Sequence, residues 1–537
     1  MTSTVLVRSK FAAVFALFGV IALSLISTPA TAQVTAFMQS VASAASNDKA
    51  LSAFYKANGY QPIWTGNSGR DRSRRQALLR AIQSADDHGL PAKSYDTEFL
   101  RANLRQVQSE RDLGKVEVEL SRLFLRYATD IQTGVLTPRK VDSGLVRAVP
   151  YRDRATTLAN FAKSTPAAFL RQLAPTTPEY TRLMKGKMTL EKTLARGGWG
   201  PQVPGKTLKP GATGPAVVAL RNRLIAMGIM RRSATQTYDA SVQQAVQQFQ
   251  LRHGLNPDGV VGEGTMTEVN VGPEKRLASV LVAMERERWN NQPLGKRHVW
   301  VNLTDFSAKI IDNDKVTFET RSVVGANRED RRSPEFSDVM EHMVINPSWN
   351  VPRSITVKEY LPLMKKNPNA AGHLKILDSR GRTVPRSSIN FGAYTEKTFP
   401  FAMKQPPSDG NALGLVKFMF PNKYNIYLHD TPAKSLFGRE SRAFSHGCIR
   451  LHQPFDFAYA LLAKQSRDPK ALFQSHLRTG SESVVALDEP VPVHIDYRTA
   501  MGLPKGGLEY RRDVYGRDAR IFSALQKAGV VLRAVDS

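Results

Sequence analysis

The chain has 537 residues, 42% of them hydrophobic and 23% charged, an ordinary globular composition. That length excludes a single core and implies several domains. The formal net charge of +28 favours polyanionic surroundings, and a lone cysteine, Cys448, excludes an internal disulfide.

At the start, Arg8 and Lys10 precede an apolar run, Phe11 to Ser27, followed by small residues at Ala30 and Ala32. This pattern predicts a secretory signal peptide over residues 1–32, cut after Ala32, and export of the chain. The alternative is an uncleaved segment holding the chain at the inner membrane, for which the run is slightly short. Export argues against nucleic acid as the polyanion and leaves envelope polymers and anionic headgroups.

Residues 33–200 predict a helical scaffold. Leu78, Leu79, Ile82 and Ala85 recur at helical spacing, as do Leu120, Leu123, Phe124 and Ala128. Neither stretch clusters catalytic residue types, and Tyr55, Tyr60 and Trp64 read as core. A Pro/Gly-rich joint, Gly197 to Gly214, leads to a small unit over 205–272. There Val217, Leu220, Leu224 and Met227 form one helical face, and Gly228 ends the helix. Asp239 is an N-cap for a second helix with Val242, Ala245, Val246 and Phe249 as its stripe. The turn residues of "NPDGVVGEGT" precede a short third helix. Residues 273–295 predict a linker helix carrying Leu277, Val280, Leu281 and Met284. Strand signals begin near residue 296 and define a β-rich domain over 296–484. The β pattern breaks over 351–415, which implies an insertion. Residues 485–537 predict a closing strand and helix.

The chemistry centres on "FSHGCIRLH", Phe444 to His452. A free cysteine is most often a small buried hydrophobe. In an exported chain, an unpaired thiol is otherwise kept for its reactivity. A nucleophilic cysteine needs a base or a positive environment. Strand alternation in "YNIYLHD" puts Tyr427 and His429 on one face, about 6–7 Å apart along the strand. Alternation in "CIRL" points Cys448 and Arg450 the same way. Gly447 lets the backbone approach closely, and N–H groups around His446, Gly447 and Cys448 are candidate oxyanion donors. His446 lies too near Cys448 in the chain to move freely, so His429 is the better base. A zinc site of His429, His446 and Cys448 is an alternative, but the spacing matches no common structural zinc pattern.

These motifs resemble known families. "LKPGATGPAVVALRNRL", "YDASVQQAVQQFQ" and "GLNPDGVVGEGT" resemble the peptidoglycan-binding type 1 module. His429, fifteen intervening residues and then "SHGCIR" resemble the YkuD catalytic domain of L,D-transpeptidases. "NPSWNVPRSI", "GNALGLVKFMFPN" and "YLHDTP" resemble the large periplasmic YcbB-like branch, in which the insertion caps the substrate. The resemblance implies a multidomain α+β protein: helical scaffold, three-helix wall-binding module, and β-rich catalytic domain with a capping insertion. It implies Cys448 as nucleophile, His429 as base, and His446 and Gly447 as shaping the site and its oxyanion hole. Arg450 would hold the loop or a substrate carboxylate, Tyr427 and Trp349 would line the pocket, and Ser445 would order the turn beside the substrate. The expected partners are peptidoglycan stem peptides and glycan strands, with other wall enzymes, and no cofactor or metal. The implied reaction is acyl transfer through a Cys448 thioester. An L,D-carboxypeptidase or hydrolase, and a non-enzymatic wall-binding scaffold, are the competing readings.

Overall fold

The computed structural model describes residues 34–533. The expected signal segment lies outside them. No helix within them is long and apolar enough to cross a membrane.

The N-terminal region is helical from Ala36 to Ala195. Its core stacks Phe161 on Trp64 and Phe124, with ring centroids 5.1 and 4.4 Å apart. Buried Glu117 accepts the main-chain N–H groups of Ile63, Trp64 and Thr65, so one carboxylate ties a loop to the long helix Glu110–Thr133. The small module has the three expected helices, Pro215–Ala226, Ala240–Arg252 and Glu263–Val269, around its own core. Asp239 caps the second by accepting from Ser241 and Val242 N–H.

Fourteen strands follow: β1 (Arg297–Asn302), β2 (Ser307–Asp312), β3 (Lys315–Gly325), β4 (Phe336–Ile345), β5 (Trp349–Asn350), β6 (Lys375–Leu377), β7 (Ala402–Gln405), β8 (Val416–Met419), β9 (Leu428–His429), β10 (Ala443–Ser445), β11 (Ile449–Leu451), β12 (Ser483–Asp496), β13 (Ala500–Gly502) and β14 (Leu508–Tyr510). The order β3-β11-β9-β8-β4-β12-β1-β2 closes on itself through a β2–β3 pairing, and β10 adds to β3 outside the ring. The result is an eight-stranded barrel with no open edge in the ring. Val299, Val301, Leu428, Ile449, Leu451 and Ile495 fill its interior. Each contributes about 1.5–3 kcal/mol by burial. The register follows: inward aliphatics leave their sequence neighbours on the outer face.

Three expectations change. β12 runs to Asp496 and pairs with both β4 and β1, so a boundary at 484 would cut a barrel strand. The helix Pro273–Trp289 is not a mere linker, because it is buried on nearly every side, charged residues included. It packs on the helix Pro178–Ala195, on the C-terminal helix Arg517–Lys527 and on β13. Finally, "YNIYLHD" supplies only a two-residue strand. Asn425 adopts a left-handed φ of 54°, which ends the extended run before it reaches Tyr424.

The inserted residues have a core of their own, including Trp349, Leu361, Met364, Ile376, Phe399 and Met403. A three-stranded sheet, β5-β7-β6, supports it. The helix after Pro352 contains a π-helical turn, Thr356–Tyr360, an insertion of one extra residue per turn that re-aims side chains.

Candidate active site

Strand β11 lies between β3 and β9, with Arg450 opposite Val323 on one side and beside His429 on the other. Ile449 and Leu451 point into the barrel, so Cys448 and Arg450 point out. Ile449 N–H donates to the Tyr427 carbonyl at 3.1 Å, which sets Tyr427 alongside Cys448. Four side chains therefore share one outer face: Cys448, Arg450, Tyr427 and His429. The ring centroids of Tyr427 and His429 are 5.6 Å apart, edge to face.

The Cys448 thiol is half-buried. It donates to the Asn425 carbonyl at 3.5 Å and meets both the N–H and the O–H of Tyr427. Burial pushes the thiol up to about 11, against the Tyr427 hydrogen bonds and the Arg450 charge, which favour the thiolate. Burial and the Arg450 charge hold His429 down to about 3, against its hydrogen bonds to the Asp430 and Leu413 carbonyls. Its Nδ1 donates to the Asp430 carbonyl at 2.5 Å, which leaves Nε2 as the acceptor. The resting pair is thus neutral thiol and neutral imidazole. Among the described residues, the hydrogen bonds of the sulfur go to Asn425 and Tyr427 rather than to His429.

Arg450 is set apart by what it lacks. It forms no ion pair among the described residues, and its Nε is buried without a hydrogen-bond partner. Burial lowers its pKa, opposed by the nearby Cys448.

The turn before the thiol is a closed hydrogen-bond circuit. Ser445 is buried; its Oγ donates to the Cys448 carbonyl at 2.6 Å and accepts Gly447 N–H at 3.1 Å. Ser333 Oγ donates to the Gly447 carbonyl at 2.6 Å and accepts Gly325 N–H at 3.0 Å. Gly447 has φ +119°, where only glycine is unstrained, and a Cβ there would lie 3.1 Å from Ile426 Cδ1. One expectation is corrected. Gly447 N–H is consumed by the turn and is not a free oxyanion donor; among the described residues, the N–H groups of His446 and Cys448 form no hydrogen bond. Ser445 orders the turn, and its hydroxyl is spent inside it.

Trp349 is 8% exposed and belongs to the core of the inserted segment, edge-on to Tyr360 at 6.4 Å. Tyr427 packs against that core, and Trp349 does not itself present an open wall. His446 reaches the inserted segment: its Nε2 lies 2.6 Å from Glu359 Oε1. Glu359, on the π-helical turn, is also 2.6 Å from Arg331 Nη2. Among the described residues, no group of three or more His, Cys, Asp or Glu side chains converges as a metal-ligand set, so His429, His446 and Cys448 do not form one.

Residues 296–485 match the family model of the L,D-transpeptidase catalytic domain, YkuD. Residues 213–268 match the "Putative peptidoglycan binding domain" and residues 49–186 a scaffold domain. The C-terminal half of the chain is thus similar to the L,D-transpeptidase catalytic domain. A protein of Haemophilus influenzae named "Putative L,D-transpeptidase" is 31% identical over 242 residues, 45% of this chain and 48% of that protein. The match thus spans about half of that relative. Two crystal structures are also similar. One is an L,D-transpeptidase (residues 123–326) from Xylanimonas cellulosilytica, at 16% identity over 55% of this chain and 98% of that one. The other is a fused Zn-dependent amidase/peptidase/peptidoglycan-binding domain-containing protein from Clostridium acetobutylicum, at 12% identity over 54% and 100%. Both have a TM-score of 0.16, too low to bear on the arrangement of the chain.

Three residues that border this site escape a local reading of sequence. Glu359 and Ser333 lie 87 and 114 positions from the turn residues they hold, and Arg331 lies 28 positions from Glu359, which it holds. Nothing in the stretch "SITVKEYLP", which carries Glu359, points to His446.

Proposed function

We propose that this protein is an L,D-transpeptidase that forms 3–3 cross-links in peptidoglycan. The observation that carries the reading is the outer-face cluster of Cys448, Tyr427, His429 and an unpartnered Arg450. The raised thiol and lowered imidazole favour proton transfer during attack over a standing thiolate–imidazolium pair. Sγ attacks the carbonyl carbon between the third residue of a stem tetrapeptide and its terminal D-alanine, and His429 takes the thiol proton. Tyr427 O–H steadies the growing charge on sulfur. The N–H groups of Cys448 and His446 are the free donors for the oxyanion. The C–N bond breaks, His429 returns the proton to the leaving amine, and D-alanine departs from a Cys448 thioester. The side-chain amine of an acceptor stem then displaces the thiol. Arg450 has a vacant guanidinium fork for a substrate carboxylate. Residues 351–415 cap this face, the small module holds glycan, and export places the reaction in the periplasm.

The test is product analysis by mass spectrometry after incubating the exported chain with tetrapeptide muropeptides. Tripeptide–tripeptide 3–3 dimers are expected, and Cys448→Ala is expected to abolish them. Dimers formed at wild-type level by Cys448→Ala would overturn the assignment. Tripeptide monomers alone would make the protein an L,D-carboxypeptidase.

A further inference from the structure

A cavity of about 380 Å³ opens between the small module and the barrel, lined by His253 to Pro257 on one side and by the segment Phe437–Arg442 on the other. Five arginines line it, against two carboxylates, Asp305 and Glu440. Two of the five are matched within the protein: Arg511 pairs with Glu509 at 3.1 Å, and Arg512 with Glu268 at 3.1 Å and Glu440 at 3.3 Å. The other three have no carboxylate partner among the described residues. Arg442 is held by the carbonyls of Ser322, Arg439, Asp305 and Phe306 at 3.0–3.2 Å. Arg321 reaches only the Phe437 carbonyl at 3.4 Å, and Arg439 forms no side-chain hydrogen bond. Asp305, the nearest acid, is turned to Ser307, accepting its N–H at 3.0 Å and its hydroxyl at 2.7 Å.

Carbonyls orient a guanidinium without cancelling its charge, so three arginines facing one cleft make it an anion site. The cleft also has a direction. A second cavity of about 440 Å³ shares Asp305, Phe306, Arg321 and Arg442 with it and adds His452 and Gln453. A third, of about 440 Å³, shares His452 and Gln453 and extends to Asp430, whose carbonyl holds His429; with Asp409, Asp430 and Asp456 against Lys434, it is the acidic end of the run. The three volumes form a chain from the module, across the outer face of the barrel, to the end of β9. A compact ligand would use one such volume; a run of them suits an extended polymer.

We propose that this run is a second substrate subsite, which holds a carboxylate-bearing peptide of the wall polymer through Arg321, Arg439 and Arg442. It rests on the peptidoglycan reading above and adds to it a binding place away from the thiol. It would give the module and the catalytic face a common ligand, with the anionic end nearest the module.

The test is equilibrium binding of soluble disaccharide-tetrapeptide oligomers to full-length Cys448→Ala, with and without Arg321→Gln and Arg439→Gln. Both arginines are surface residues outside the reaction centre. The double change is expected to weaken binding about tenfold, and Arg321→Lys with Arg439→Lys to restore most of it. Oligomers with amidated carboxylates should bind the unchanged cleft no better than the double variant binds the free acids. Equal affinities, within twofold, would overturn the proposal. So would displacement by inorganic phosphate or by phosphatidylglycerol vesicles but not by carboxylate peptides, which would make the site a phosphate site. The two readings separate cleanly. Wild-type chain that binds these oligomers through the arginines but releases no D-alanine would sink the enzymatic reading alone. Normal D-alanine release with affinity indifferent to the arginines would sink the subsite alone.

Discussion

Buried arginines in this protein live in two different ways. Around the helix Pro273–Trp289, each has its carboxylate. Arg286 pairs with Glu335 and with Asp518, Arg288 with Glu285 at 2.7 Å, Arg498 with Glu287 and with Asp496 at 2.8 Å, and Arg517 with Glu335 at 3.1 Å. Their partners hold Arg286, Arg288 and Arg498 more firmly protonated than usual, despite burial. On the thiol face, Arg450 has no such partner, and burial shifts its pKa the other way. The first set is an internal joint: it fastens helix, barrel and C-terminal segment together. The second is an electrostatic demand left unmet beside the Cys448 thiol.

That contrast can be broken. Glu335→Ala leaves Arg286 and Arg517 without their shared carboxylate and should destabilise the fold by about 3–5 kcal/mol, read by chemical denaturation. Arg450→Gln should behave oppositely. Removal of a charge-assisted carboxylate contact lowers kcat/KM for D-alanine release by about 100-fold, while stability moves by less than about 1 kcal/mol. If Arg450→Gln unfolds the protein as readily as Glu335→Ala, the two sets of arginines are not different in kind. The thiol offers a third measure. With its pKa raised to about 11, the thiolate fraction is small at neutral pH and grows with every step upward. Alkylation of Cys448 by a neutral reagent should then rise about tenfold per pH unit through pH 10, instead of levelling at the ordinary value near 8.5. A plateau at 8.5 would mean the thiol is not desolvated. Arg450→Gln should slow alkylation further at any pH, since the guanidinium favours the thiolate. The smallest effect belongs to Glu359→Gln. Its contacts with His446 and Arg331 are about a third exposed and worth less than about 1 kcal/mol. A threefold to fivefold rise in KM, with kcat unchanged, would place Glu359 in substrate access rather than chemistry.

Much of the site was legible because strand alternation is a local rule. Ile449 and Leu451 are aliphatic, so Cys448 and Arg450 had to face the other way. Leu428 did the same for Tyr427 and His429. The rule worked even though β9 has only two residues, because the left-handed turn at Asn425 precedes the part that matters. The three module helices were legible from their stripes and from the cap at Asp239. What sequence hid was long-range or spent its polar groups indoors. Gly447 N–H looked free and is used by Ser445. Trp349 looked like a pocket wall and is core. The helix Pro273–Trp289 reads as a linker with one apolar face, yet its charged run "ERER" is buried. A pattern of charges does not tell whether water or an opposite charge will surround them.

The circuit through Ser333 has a consequence for modularity. Its hydroxyl fixes the Gly447 carbonyl, its own carbonyl accepts from Arg517, and Tyr515 O–H donates to the Gly325 carbonyl beside it. The turn that carries the thiol is thus braced by Tyr515 and Arg517, which lie beyond the segment that matches the catalytic family. A fragment cut at 485 would keep Cys448 and His429 but lose most of β12 and that brace. The unit that can be moved between proteins by recombination is the catalytic segment together with its tail.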